Sequence, residues 1–153
     1  MKRLSFLMAV AVLLFVASCT PSGSTTKPKE KVGIEFIEGK SYEAILAKAQ
    51  QERKPILIDF YTTWCAPCKW LEQDVFALPQ VSQYYNKNII NYKVNAEDFD
   101  GVTLAQQYEV GAYPTLIYIT QDGEFIRKHE GTTTASSFME WGREAVIQND
   151  KVR

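Results

Sequence analysis

The stretch that most constrains the fold is 55–72, PILIDFYTTWCAPCKWLE, in which a continuous apolar run meets two cysteines three residues apart. An apolar run without alternating polar positions marks a strand buried on both faces of a sheet. Helix chemistry follows it at once. Pro67 stands where a first helical turn tolerates a missing N–H, so a helix is expected from about Ala66. Cys65 then lies at a strand-to-helix junction, with Cys68 one turn inside the helix.

The flanking segments supply the other layers. Residues 41–54, SYEAILAKAQQERK, open on a cap-like Ser41 and repeat apolar side chains at 42, 45, 46 and 49, one face of a helix. Pro79 should break or kink the helix that follows the cysteines. NIINYKVNAE (88–97) is a second buried strand, GVTLAQQYEV (101–110) a short helix, and TASSFMEWGREAVIQ (134–148) a closing amphipathic helix with Phe138, Trp141 and Ala145 inward. PTLIYIT (114–120) and GEFIRKHEG (123–131) flank the turn QDG, a hairpin signal. With VGIEFIEG (32–39) as a short edge strand, the order β-α-β-α-β-α-β-β-α predicts an α/β fold, a central mixed β-sheet with helices on both faces.

The cysteine pair admits three readings. Half of a zinc site would need two further ligands, yet there is no second pair and the single histidine, His129, falls on the distant hairpin. No metal is expected, and His129 receives no role. A permanent staple would close so small a loop that its entropic effect is slight. A redox couple fits best: orphan N–H groups and the helix dipole favour a thiolate at Cys65, Cys68 lies beneath it, and Lys69 adds positive charge.

Trp64-Cys65-Ala66-Pro67-Cys68-Lys69 resembles the W-C-x-P-C-K core of the thioredoxin superfamily. Asp59, six residues before Cys65, resembles the buried aspartate of that family, and Lys93 in YKVNAE the lysine that accompanies it. VGAYPT (110–115) resembles the loop carrying its cis-proline, here Pro114, and Gly123 and Gly131 fall at its hairpin glycines. The long segment after the motif, with Glu72, Phe76 and LPQV, looks like the C-terminal domain of the transmembrane reductant conductor DsbD. The resemblance implies the thioredoxin fold and thiol:disulfide oxidoreductase activity through Cys65 and Cys68, with no cofactor beyond the redox-active Cys65–Cys68 disulfide. It implies Asp59 as proton acceptor tempered by Lys93, and Trp64, Ala66, Pro67, Tyr113 and Pro114 as the substrate surface. Tyr113 departs from the small or aliphatic residue common before that proline. Trp70 and Trp141 are expected to pack, and Asp59 with Lys93 could instead form a structural ion pair.

The first eighteen residues read as a targeting segment, with Lys2 and Arg3 ahead of an apolar stretch from Leu4 to Ala17. Val16-Ala17-Ser18-Cys19 resembles the lipobox of bacterial lipoproteins, which implies cleavage after residue 18 and lipidation of Cys19. Residues 20–31, TPSGSTTKPKEK, read as a flexible tether from Cys19 to a thioredoxin-like domain over 32–153. Loss of Lys2 and Arg3 takes the formal charge from −1 to about −3. Without a basic cluster, nucleic acid is excluded as a partner.

The expected place is the bacterial cell envelope, as a periplasm-facing monomer held by its lipid. Thr20 after Cys19 favours the outer membrane. The partners expected are exported protein disulfides and a membrane thiol electron donor. Ala-Pro between the cysteines, with no histidine, favours a reductase. A disulfide oxidase or isomerase is the alternative, and so is a tethered binding module with idle cysteines.

Overall fold

The computed structural model describes residues 32–152. The targeting segment, Cys19 and the tether expected over 20–31 lie outside the described residues. The apolar run forms β1, Ile56–Tyr61, buried throughout except at Tyr61. Strand β2, Ile90–Asn95, runs parallel to it and sets Lys93 opposite Asp59. On the other side β3, Thr115–Ile119, runs antiparallel, and β4, Phe125–Glu130, pairs antiparallel with β3. The mixed sheet has the order β2-β1-β3-β4.

Strand alternation sorts the core into two layers. Ile56, Ile58 and Phe60 face α1 (Tyr42–Glu52) and α4 (Phe99–Gln107), meeting Ile45, Ala49 and Leu104. Leu57 points the other way, toward α2 (Ala66–Leu71), α3 (Pro79–Asn88) and α5 (Ala135–Lys151), among Leu71, Tyr85 and Phe138. Each large aliphatic or Phe side chain among these contributes about 1.5–3 kcal/mol relative to exposure. Asp59 shares the parity of Leu57, so its carboxyl enters the second layer, on the face that α2 covers. A carboxyl inside an apolar layer is costly, and its retention there points to chemistry.

Local signals account for most element ends. The Ser41 hydroxyl accepts the Ala44 N–H at 3.3 Å, and Thr134 caps α5 by accepting the Ser137 N–H at 3.2 Å. In the QDG turn Gly123 adopts φ +85°, which favours glycine, and its N–H donates to the Thr120 carbonyl at 3.0 Å. Helix α4 meets the end of β2 backbone to backbone: a Cβ on Gly101 would lie 1.9 Å from the Asn95 carbonyl oxygen. That contact fixes the turn at 96–98 beside the sheet's C-terminal edge.

Three expectations need correction. The segment 32–39 is no strand; only Ile37 bridges to Tyr92, donating its N–H to Asn91 O at 2.8 Å and accepting from the Lys93 N–H at 3.0 Å. Gly33 at φ +108° turns the chain away, and Asn86 takes over the satisfaction of its backbone. Asn86 accepts the Glu35 N–H at 2.8 Å and donates to Gly33 O at 3.2 Å. The helix after the cysteines does stop before Pro79, but it first widens into a π-helical turn, Glu72–Phe76, in which the Ala77 N–H reaches Glu72 O at 3.0 Å. Trp70, expected to pack, is 46% exposed. Trp141 is half-buried, with the His129 ring 4.5 Å away and the Arg127 guanidinium 5.5 Å over it.

Candidate active site

Cys65 is the N-cap of α2 and is disulfide-bonded to Cys68. Its sulfur accepts the Cys68 backbone N–H at 3.1 Å, the position an N-cap side chain ordinarily takes. A tight turn upstream holds the cap, the Cys65 N–H donating to the Thr62 carbonyl at 3.2 Å. Pro67 occupies the first turn of α2, where it removes no intrahelical bond. The same N–H and the helix dipole would stabilise negative charge on Cys65 once the disulfide is reduced.

Asp59 lies on β1 and is 2% exposed, and its Oδ1 has no hydrogen-bond partner among the described residues. Burial pushes its pKa up from the ordinary 3.8 to about 7. The Lys93 ammonium pulls it down, while the carboxylates of Glu72 and Glu38 push it further up. Lys93 acts on Asp59 through its field, while its hydrogen bond goes elsewhere. It pairs with Glu72 of the π turn, and its ammonium sits 4.6 Å from the Tyr61 ring centroid and 5.6 Å from that of Phe36. Burial works against the ammonium, but the Glu72 hydrogen bond and the Asp59 charge outweigh it, leaving the Lys93 pKa above its ordinary value. The reading of Asp59 and Lys93 as a direct ion pair therefore gives way to a three-member arrangement in which Glu72 is the partner.

That arrangement makes a prediction. In Glu72→Gln the carboxylate that raises Asp59 is gone and Lys93 is released toward it; both changes lower the Asp59 pKa. The acid limb of the exchange rate should shift to lower pH, as should the Asp59 carboxyl resonance followed by NMR titration. An unmoved midpoint would remove Glu72 from the account.

The remaining candidates frame the sulfurs. The Tyr113–Pro114 peptide is cis and Pro114 is buried. Trp64, 66% exposed, meets Tyr113 edge-on with ring centroids 6.1 Å apart. Its indole N–H donates to Glu97 Oε1 at 2.8 Å. Ala66 and Pro67 are exposed on the first turn of α2. The Gly111 loop is held from β4, where Lys128 donates to the Glu109 carbonyl at 2.5 Å and pairs with Glu130 at 2.8 Å.

Every candidate within the described residues thus gathers at the C-terminal edge of the sheet or directly under it, while Cys19 lies outside them. His129 sits on β4 against Trp141. Among the described residues no three His, Cys, Asp or Glu side chains gather to hold a metal. No described helix is long and apolar enough to cross a membrane.

Sequence reasoning passed over two residues. The role of Glu72 carries no signal in the sequence, because its contact with Lys93 depends on the π turn. Glu97 had a readable signal: loops after adjacent parallel strands meet at one edge, and 96–98 follows β2 as 62–65 follows β1.

The Thioredoxin family profile matches residues 33–144, and the chain belongs to that family. It is 32% identical over 100 residues to Thioredoxin Y, chloroplastic, of Oryza sativa, covering 65% of this chain and 54% of that protein. It is 29% identical over 101 residues to the thiol:disulfide interchange protein DsbD of Pseudomonas fluorescens, covering 64% of this chain and 17% of DsbD. A solved structure of a disulphide-isomerase candidate from Bacteroides thetaiotaomicron aligns with TM-score 0.67 and 36% identity, over 76% of this chain and 96% of that one. The chain spans about half the length of the curated chloroplastic thioredoxin it matches.

Proposed function

We propose that the protein is a thiol:disulfide oxidoreductase that reduces disulfides in other proteins of the bacterial cell envelope. The observation that carries this reading is the pairing of a helix-capping Cys65–Cys68 disulfide with a buried Asp59 whose Oδ1 has no hydrogen-bond partner among the described residues and whose pKa is brought to about 7. An adaptor would gain nothing from a carboxyl held there at the expense of stability.

In the reduced protein Cys65 thiolate attacks one sulfur of a partner disulfide; a Cys65–partner bond forms and the partner's other sulfur leaves as thiolate. Cys68 then gives its proton to the Asp59 carboxylate and attacks Cys65. The Cys65–Cys68 bond closes, and the partner's second thiolate departs. Two electrons pass from the protein's dithiol to the partner, and no cofactor enters. Lys93, anchored by Glu72, limits how far the Asp59 pKa rises. Trp64, Ala66, Pro67, Tyr113 and Pro114 form the surface on which the partner's chain rests.

Likeness to DsbD, a thiol:disulfide interchange protein, supports a source of electrons at the membrane, and the sequence of residues 1–19 supports an envelope address. In this reading residues 1–18 are a lipoprotein signal, Cys19 carries lipid, 20–31 is a tether and 32–153 is the catalytic domain, a monomer at the outer membrane. Likeness to a disulphide-isomerase candidate keeps isomerisation as the second reading.

Trapping tests the activity itself. Cys68→Ser, reduced and mixed with a disulfide-bonded protein, should accumulate a mixed disulfide through Cys65 that a small thiol releases. Absence of any such adduct would return the binding-module reading to the front.

A further inference from the structure

Beside the disulfide the molecule leaves aromatic surface uncovered. Trp64 is 66% exposed, Phe99 at the start of α4 is 93% exposed, and Val102, three residues on, is 40% exposed. Clustered apolar exposure of this kind marks a surface that something else covers. One short segment links the two: Glu97 accepts the Trp64 indole N–H at 2.8 Å, and Phe99 follows two residues later at the start of α4.

The charge on the segment that carries Phe99 has one sign. The segment 97–100 reads Glu-Asp-Phe-Asp, and all four residues are exposed. Asp98 accepts from Asn95 Nδ2 at 3.0 Å, which fixes the turn with its acids outward. On the loop of Tyr113, which touches Trp64, Glu109 is exposed and Glu130 reaches the Gly111 backbone. The nearby cations are engaged: Lys128 with Glu130 and Lys93 with Glu72. Lys69, next to Cys68, is the exposed cation of the motif itself.

We propose that Trp64, Glu97, Phe99 and Asp100 bind the chain flanking the reacting cysteine of a partner protein, and select flanks that combine Lys or Arg with a bulky apolar residue. The inference rests on the reading of protein disulfides as substrates. Aromatic faces accept both apolar contact and cations, and anchored carboxylates steer a cationic segment while repelling an acidic one. Glu97 is held by the Trp64 indole before a partner arrives, so its charge is placed without further ordering.

The test uses the reduced protein in single turnover against two cyclic disulfide peptides that differ only in their flanks, Lys-Leu in one and Glu-Leu in the other. At low ionic strength the cationic peptide should be reduced about tenfold faster, and salt should narrow the gap. Glu97→Gln, which still accepts the indole N–H, combined with Asp100→Asn should bring the two rates within about threefold of each other. Phe99→Ser should slow both peptides. Equal rates in the parent, or a preference that survives the double substitution, would overturn this inference alone. Failure to reduce either peptide while the couple still equilibrates with dithiothreitol would overturn the protein-disulfide reading and this inference with it.

Discussion

Asp59→Asn should unfold at higher urea concentration than the parent in mildly alkaline solution, yet exchange disulfides about 100-fold more slowly near neutral pH. Both effects come from one buried carboxyl. Its pKa is about 7 in the folded chain against an ordinary 3.8, so between those values the folded state binds the extra proton. Stability therefore falls as pH rises through that window, by about 4 kcal/mol in all. Asn carries no charge and escapes this loss. Its own buried amide costs about 1–3 kcal/mol at every pH, so the sign of the difference at one pH is less telling than its slope. The advantage of Asn over Asp should grow by about 4 kcal/mol from acid to mildly alkaline solution. Urea titrations of the oxidised protein across that range measure it, and parallel curves for the two proteins would count against a perturbed Asp59. The kinetic loss follows because Cys68 then has no carboxylate to take its proton. The parent's rate should rise as Asp59 ionises around neutrality, and the variant should lack that rise.

The second large effect lies in the core layer on which α2 rests. Phe138 is fully buried, stacks on Tyr85 at 4.2 Å between ring centroids with the planes 5° apart, and meets Phe76 at 5.0 Å. The Tyr85 hydroxyl donates to the Phe138 carbonyl at 2.5 Å and contacts the Tyr118 hydroxyl at 2.8 Å, so the two tyrosine hydroxyls beside Phe138 are already paired. Close packing against α5 leaves little room to relax: a Cβ on Gly142 would lie 2.7 Å from the Tyr85 oxygen. Phe138→Ala should therefore cost about 4 kcal/mol, from lost apolar burial plus an unfilled cavity. Thermal unfolding should drop by roughly 10–15 °C. A loss below about 1 kcal/mol would mean that this layer collapses freely and does not brace α2.

These consequences differ in how far the sequence announced them. The run ILIDFY announced β1, and its end against the cysteines announced the junction that makes Cys65 a helix cap. Ser41, Pro79 and the QDG turn marked boundaries that the chain honours, because each satisfies or removes backbone hydrogen bonds locally. Asp59 and Lys93 were legible as candidates, and strand register does place them side by side. The partner of Lys93 was not legible. It is Glu72, and it reaches Lys93 from a π turn whose extra residue leaves no mark in hydrophobic periodicity. The segment 32–39 misled for a related reason: its loose alternation resembles a strand, but hydrogen bonds from the Asn86 side chain, far along the chain, satisfy its backbone. Trp70 misled because aromatics are usually core, and composition does not say which face of α2 a side chain takes.

The central claim is that Cys65 and Cys68 form a reducing couple. The most direct measurement is the reduction potential of that couple, equilibrated against dithiothreitol or glutathione. A value near that of thioredoxin, about −270 mV, is the predicted result; a value near about −120 mV would make the protein an oxidant and contradict the claim.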